Sequence, residues 1–240
     1  MITTSIADGV GVIELDRPER RNALDVEHCR WLADAVAGVV GGGVRAIVLT
    51  GAGTSFCAGA DFGEVYTEGF RAAHQAAVRA LVEAPVPVIA AVNGPAIGAG
   101  TQLAIACDLR VAAPRAVFEV PTARIGLAVD PWTVRRLAEL AGGGTARALL
   151  LACDRIDAEL AHARGLVDRI GDTDDAIALA VEIAAMAPLT LTYNKLALDG
   201  VDRAVTPEVL AAFEACWTSE DRAEGQRARV EGRAPEFTGR

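Results

Sequence analysis

The stretch Ala84-Pro85-Val86-Pro87-Val88-Ile89-Ala90-Ala91-Val92-Asn93-Gly94-Pro95-Ala96-Ile97-Gly98-Ala99-Gly100-Thr101-Gln102-Leu103-Ala104-Ile105-Ala106-Cys107 decides the fold class. It runs for 24 residues without a charge. Three prolines, three glycines, Asn93 and Gln102 interrupt it, whereas a lipid span is more uniformly apolar and helical. It therefore reads as buried core. Residues 86–92 form a strand covered on both faces, Asn93-Gly94-Pro95 a turn, and residues 98–106 a helix of small side chains.

Working outward, the same alternation repeats. Residues 2–6 and 10–15 read as strands joined at Asp8-Gly9, a dipeptide suited to a tight hairpin. Asp25 opens a helix to about residue 40, with Leu24, Trp31, Leu32, Ala35 and Val39 as its apolar stripe. Residues 46–50 form a strand, and a Gly-rich loop follows through Gly63. Residues 64–84 form a helix stopped by Pro85. Beyond Cys107, a strand is expected at 109–112, helices near 130–141, 145–152 and 157–163, a strand at 166–170 and a helix at 173–187. The remainder, about 189–231, reads as helices broken at Gly200 and Pro207. Strands alternating with helices imply an α/β fold with crossover units and a largely parallel sheet. The expected organisation is a core over residues 1–188 continuous with a helical segment over 189–240.

Composition narrows the function. The chain has 240 residues, 52% of them hydrophobic, enough for a sizeable core. A net charge of −9 supplies no positive field for phosphates, which argues against a nucleic-acid or anionic-membrane partner. Cys29, Cys57, Cys107, Cys153 and Cys216 lie far apart without a CxxC pair, as expected of free thiols in the cytoplasm. His28, His74 and His162 are not paired with cysteines at ligand spacing, so no metal is expected. The N-terminus has neither a basic segment nor an apolar run of signal-peptide type.

Two Gly-rich stretches follow strands: residues 50–61, Thr-Gly-Ala-Gly-Thr-Ser-Phe-Cys-Ala-Gly-Ala-Asp, and residues 93–102. Neither is a dinucleotide fingerprint or a P-loop. Small residues there either pack helix on sheet or let two backbones approach a ligand, with unpaired N–H groups at the start of the 98–106 helix as donors.

Taken in order, the motifs resemble the crotonase (enoyl-CoA hydratase/isomerase) superfamily. The resemblance rests on residues 15–24 (Leu-Asp-Arg-Pro-Glu-Arg-Arg-Asn-Ala-Leu), 55–61, 87–94, 96–108, 118–126 and the C-terminal Arg233-Ala234-Pro235-Glu236-Phe237. It implies a ββα spiral core with C-terminal trimerisation helices, a homotrimer or hexamer, and a role in fatty-acid metabolism. It implies binding of an acyl-CoA thioester, with coenzyme A entering as part of the ligand and no separate cofactor. The thioester oxygen would sit in an oxyanion hole made by the backbone N–H groups of Ala60 and Ala99. By the same resemblance, the CoA moiety would meet Arg20, Arg21, Ala23, Ala58, Ala60, Asp61, Phe62 and Gly98. Arg17 would join Arg20 and Arg21 near the phosphates, unless these arginines are simply a solvated loop.

The sequence also departs from the family. The two positions that hold glutamates in family hydratases are Gln102 and Thr122 here. Hydration needs groups that titrate near neutrality; an amide and a threonine hydroxyl do not. Weak or absent hydratase activity is expected. Asp130 falls where some relatives place a catalytic aspartate, although an aspartate before Pro131 is also an ordinary helix N-cap. Glu119 does not match a catalytic position. His74 reads as a solvated or packed histidine, and Cys57 as a packed thiol. Arg229 and Gly232 replace an aromatic residue and a lysine that reach a neighbour's CoA in the family, leaving Arg233 for that contact. Two functions therefore stay open: an isomerase-like enzyme using Asp130, and a non-catalytic acyl-CoA carrier or sensor.

Overall fold

The computed structural model describes residues 1–199 and 206–240. Its main sheet has six strands in the order β1 (Ile2–Ala7), β2 (Val10–Leu15), β3 (Ala46–Gly51), β4 (Val88–Val92), β6 (Leu109–Ala112) and β9 (Arg169–Ile170). The β1–β2 hairpin is antiparallel, and every later pairing is parallel. Asp8 and Gly9 both take positive φ at its turn, as a two-residue hairpin requires. A second sheet orders β5 (Ala96–Ile97), β7 (Val117–Glu119) and β8 (Arg155–Asp157).

Every residue of β3 and β4 is buried, which explains the apolar runs over 46–49 and 88–92. The side-chain alternation along a strand divides them between two cores. Ile47, Leu49, Val88, Ala90 and Val92 face one side, with α1 (Val26–Gly41), α2 (Glu68–Val82), α3 (Ala99–Ala106), α4 (Pro131–Arg147) and α5 (Ala158–Ala163) contributing to that core. Ala46, Val48, Ile89 and Ala91 face the other, under Ala176, Leu179, Ala180 and Ile183 of α6 (Thr173–Ala184). Helices α7 (Pro188–Asp199), α8 (Pro207–Thr218) and α9 (Glu220–Glu231) complete the chain. No single helix among the described residues is long and apolar enough to cross a membrane.

Several boundaries differ from the sequence reading for physical reasons. The buried stripe of α1 is Cys29, Leu32, Val36 and Val39; Trp31 is 38% exposed and packs edge-on against His28. Helix α2 starts at Glu68 because Thr67 caps it, accepting from the Phe70 N–H. Glu64 instead accepts from the Val26 N–H at 2.7 Å and so holds the start of α1. The 130–141 and 145–152 segments are joined end to end, with Gly142 (φ 75°) as the kink and a π-helical turn at Ala148–Ala152. The strand expected at 166–170 shortens to β9, that at 86–92 begins at Val88, and α6 ends at Ala184. Strands β5, β7 and β8, of two or three residues each, carry too few side chains to show a period. Ser219 adds a break between α8 and α9, while the break expected at Gly200 lies outside the described residues.

Candidate active site

The two Gly-rich loops, after β3 and after β4, close on each other like a short zipper. The Cys57 N–H donates to the Pro95 carbonyl at 3.1 Å, and the Ile97 N–H donates to the Cys57 carbonyl at 2.9 Å. The glycines make this approach possible. A methyl carbon on Gly94 would lie 2.0 Å from the Thr54 carbonyl oxygen, and one on Gly100 would lie 2.2 Å from that of Cys57. At Gly59 (φ +102°) it would lie 2.8 Å from the Ile97 carbonyl oxygen and 3.9 Å from the Ala99 nitrogen. The segment carrying Ala60 therefore runs against the start of α3.

Ala99 is the first residue of α3, preceded by Gly98 in a positive-φ conformation (φ 54°) that favours glycine. Its N–H points outside the helical ladder. Neither the Ala99 N–H nor the Ala60 N–H donates to any described residue, although Leu24 is bonded on either side of Ala60: its N–H donates to the Gly59 carbonyl and its carbonyl accepts from the Asp61 N–H. Two open peptide donors on adjoining loops, one at a helix N-terminus, form a place suited to a partly negative oxygen.

The loop bearing Arg17 to Leu24 is fastened to this pair by Asn22, which is 1% exposed and left-handed at φ 58°. Its Oδ1 accepts from the Arg17 N–H, and its Nδ2 donates to the Ala52 and Ser55 carbonyls. The Ala58 N–H donates to the Arg21 carbonyl at 2.9 Å. Of the arginines assigned to phosphates, Arg20 and Arg21 are exposed. Arg17 is instead paired with Asp25 and Asp61, at 3.4 Å and 3.3 Å. Ala23 and Ala58 are half-buried beside this loop and Phe62 is 78% exposed. Burial pushes the Cys57 thiol up to about 12, so it is a packed group.

Gln102 is buried on α3 and Asp130 is the N-cap of α4. The two meet through Thr133, whose hydroxyl lies 2.6 Å from Asp130 Oδ2 and 3.2 Å from Gln102 Oε1. Asp130 Oδ1 accepts from the Trp132 and Thr133 N–H groups. Thr122 lies apart from them on the 3-10 turn Pro121–Ile125. Glu119 is buried between Arg124 and Arg155. Arg233 is held by Glu224 at 2.6 Å and by Glu231; its guanidinium keeps the Glu224 carboxyl well below the usual range.

His74, on α2, is the group the sequence undervalued. It is 6% exposed, stacked on Phe70, and its Nε2 has no hydrogen-bond partner among the described residues. Burial lowers its pKa below 6.5, while a hydrogen bond to the Ala99 backbone and the nearby Asp130 charge oppose that shift. A buried polar atom without a partner costs about 1–3 kcal/mol, which marks it for attention. A signal was present: Phe70, Ala73, His74, Ala77, Val78 and Leu81 form the buried stripe of α2, so His74 occupies a core position in the periodicity itself.

Comparison with known proteins shows the family and the fold. The family model for enoyl-CoA hydratase/isomerase matches residues 5–240. A Mycobacterium tuberculosis protein named "Probable enoyl-CoA hydratase echA6" is 46% identical over 242 residues, covering 100% of both chains. The crystal structure of enoyl-CoA hydratase from Bacillus anthracis superposes with a TM-score of 0.88 at 32% identity, covering 100% of this chain and 99% of that one. That of an enoyl-CoA hydratase/carnithine racemase from Magnetospirillum magneticum gives 0.90 at 30%, covering 100% and 96%. The expected crotonase-type α/β fold with a helical C-terminal region is present. With the family match running from residue 5 to the C-terminus, the chain belongs to the enoyl-CoA hydratase/isomerase family.

Proposed function

We propose that this protein binds acyl-CoA thioesters of fatty-acid metabolism, polarises the thioester carbonyl, and adds little or no water to an enoyl chain. The observation that carries this reading is the pair of open N–H groups, Ala60 and Ala99, on two loops zipped together. Negative charge develops on the carbonyl oxygen whenever a thioester passes toward its enolate. One well-placed donor is typically worth about 3–4 kcal/mol at that stage. The CoA moiety would lie along Arg20, Arg21, Ala23, Ala58, Asp61, Phe62 and Gly98. The exposed Arg20 and Arg21 offer the phosphates positive charge on an otherwise acidic chain.

Weak hydration follows from side-chain chemistry. Gln102 and Thr122 stand in for titratable acids, and losing such a group typically lowers a rate by about 10²–10⁴-fold. Isomerisation of an enoyl thioester, which one base can run, is the reaction that remains. The second reading, a non-catalytic acyl-CoA carrier or sensor, is favoured by a separate observation: the Thr133 hydroxyl and two backbone N–H groups already engage Asp130, and the same hydroxyl lies against Gln102. Under either reading the protein is cytoplasmic. Exposed Leu198, Leu210, Trp217 and Val230 on the C-terminal helices suit burial in a trimer or hexamer.

The test is Ala99→Pro. Proline fits the first position of a helix, so α3 is retained while the N–H is removed. Affinity for butyryl-CoA, and turnover of any enoyl thioester the protein converts, should both fall. Unchanged affinity and turnover in the folded variant would remove Ala99 from the site.

A further inference from the structure

We propose that the open edge of the main sheet is an interface between two copies of this chain, β1 of one pairing antiparallel with β1 of the other about a two-fold axis at Thr4. The inference stands apart from the thioester site and from the C-terminal helices.

The backbone sets the pairing. Strand β1 is the outermost of the six and is bonded on one side only, to β2. Met1 and Asp16 exchange both backbone bonds, at 2.9 Å and 3.0 Å. Bonded residues alternate along an antiparallel pair, so in the register that sets Ile2 against Leu15 it is Thr3, Ser5 and Ala7 that bond β2. Ile2, Thr4 and Ile6 therefore turn their N–H and C=O groups to the open edge, where no strand among the described residues meets them. Exposed edges are ordinarily protected by charged side chains, proline, a bulge or a covering element. Here Ile2-Thr3-Thr4-Ser5-Ile6-Ala7 carries neither a charge nor a proline.

The occupant follows from self-complementarity. Ile2-Thr3-Thr4-Ser5-Ile6 reads the same from either end: isoleucine, hydroxyl, threonine, hydroxyl, isoleucine. Paired antiparallel about Thr4, Ile2 faces Ile6 of the second copy, Thr4 faces Thr4, and Thr3 faces Ser5. The residues with open backbone groups then oppose one another, and each such pair exchanges both of its N–H···O bonds. Branched side chains directly opposite add to the pairing, and the contact closes at two chains because both present the same patch.

The groove beside the strand fits the same occupant. Ile2, Thr4 and Ile6 line about 580 Å³ of space together with Trp31, Asp34 and Gly38 of α1. Asp34 is the only charged side chain in this lining, which suits an uncharged strand. The Met1 nitrogen lies 3.1 Å from His28 Nε2, and Ile6 Cδ1 lies 2.7 Å from where a methyl carbon on Gly42 would stand. Helix α1 therefore runs alongside β1 in the same direction. The two-fold axis reverses the second copy, which brings Trp31 level with that copy's residues 38–42. A methyl carbon on Gly38 or Gly41 would meet nothing within 4 Å, so there is room for the half-exposed indole.

The experiment combines light scattering with disulfide trapping on the full chain. At micromolar concentration the unmodified protein should have the mass of an even number of chains. Thr4→Lys, at an exposed position, sets two ammonium groups face to face on the axis and should halve that mass with an unchanged far-UV spectrum. For trapping, Cys216→Ala removes the one cysteine that is not buried. In that background Thr4→Cys should cross-link on mild oxidation, since directly opposed Cα atoms lie about 5.5 Å apart, within disulfide reach. Ser5→Cys, equally exposed, should not, because its counterpart lies two residues along the partner strand, about 8 Å away. A monomer or a trimer, a mass unchanged by Thr4→Lys, or no preference for Thr4 over Ser5 in cross-linking would each overturn the proposal.

Discussion

Gly59→Ala probes the closeness of the two loops on which the site depends. The added methyl carbon would lie 2.8 Å from the Ile97 carbonyl oxygen, against about 3.3–3.6 Å for even a weak C–H···O contact. The loops must therefore part by about 0.5 Å, and φ of +102° strains any side chain there. An oxyanion donor acts over about 2.7–3.1 Å, so a shift of that size takes the Ala60 N–H out of range. In the ground state one neutral hydrogen bond is worth about 0.5–1.5 kcal/mol, and two correspond to roughly tenfold or more in affinity. The assay compares butyryl-CoA with its thioether counterpart, S-butyl-CoA, by calorimetry. Both carry the same nucleotide and chain, so their affinity ratio isolates the carbonyl. The unmodified protein should favour the thioester by about tenfold, and Gly59→Ala should bring the ratio toward unity. A ratio unchanged in the folded variant would show that the loops do not hold a carbonyl.

Asn22→Ala leaves the Arg17 N–H and the Ala52 and Ser55 carbonyls without their partner and puts alanine at φ 58°. At about 1 kcal/mol for each lost bond and about 1 for the left-handed backbone, roughly 4 kcal/mol should be lost in urea denaturation; a loss under about 1 kcal/mol would refute the fastening role. Asp130→Asn keeps a good capping side chain, so we expect at most about 1 kcal/mol lost and near-normal turnover, whereas a collapse of 3-enoyl-CoA isomerisation with binding intact would make Asp130 catalytic. His74 has a folded pKa below its ordinary 6.5, so below 6.5 the unfolded chain binds a proton that the folded one refuses. Its contribution is thus fully present above pH 6.5 and lost as pH falls toward the lowered value. His74→Phe should flatten that part of the stability–pH curve, and denaturation at several pH values would show no difference if the ring were solvated.

How legible this was in the sequence varied with the length of the signal. Buried strands β3 and β4 announce themselves because both faces are covered, so residues 46–49 and 88–92 run apolar without a break. Asp25 and Asp130 each mark a helix start through a short-range side-chain bond. Trp31 fits the helical spacing of the apolar residues but lies at the edge of the buried face, which is set by Cys29, Leu32, Val36 and Val39. Strands β5, β7 and β8 depend on long-range pairing that no local pattern encodes. The ordered motifs pointed to Ala60 and Ala99. They could not show that Arg17 is paired with Asp25 and Asp61, or that Thr133 bridges Gln102 and Asp130, because those contacts join separate segments. His74 lay in the α2 stripe all along, but its open nitrogen is a property of three-dimensional packing.

The central claim, a thioester site without efficient hydration, is tested most directly with crotonyl-CoA. Affinity is measured by calorimetry, and water addition by loss of the enoyl-thioester absorbance with chromatography of the product, on one preparation. A family hydratase carrying both glutamates is run alongside. The account predicts binding together with hydration at least about 10²-fold slower than that enzyme's, and partial recovery on restoring Gln102→Glu and Thr122→Glu. Robust hydration of crotonyl-CoA by the unmodified protein would contradict it.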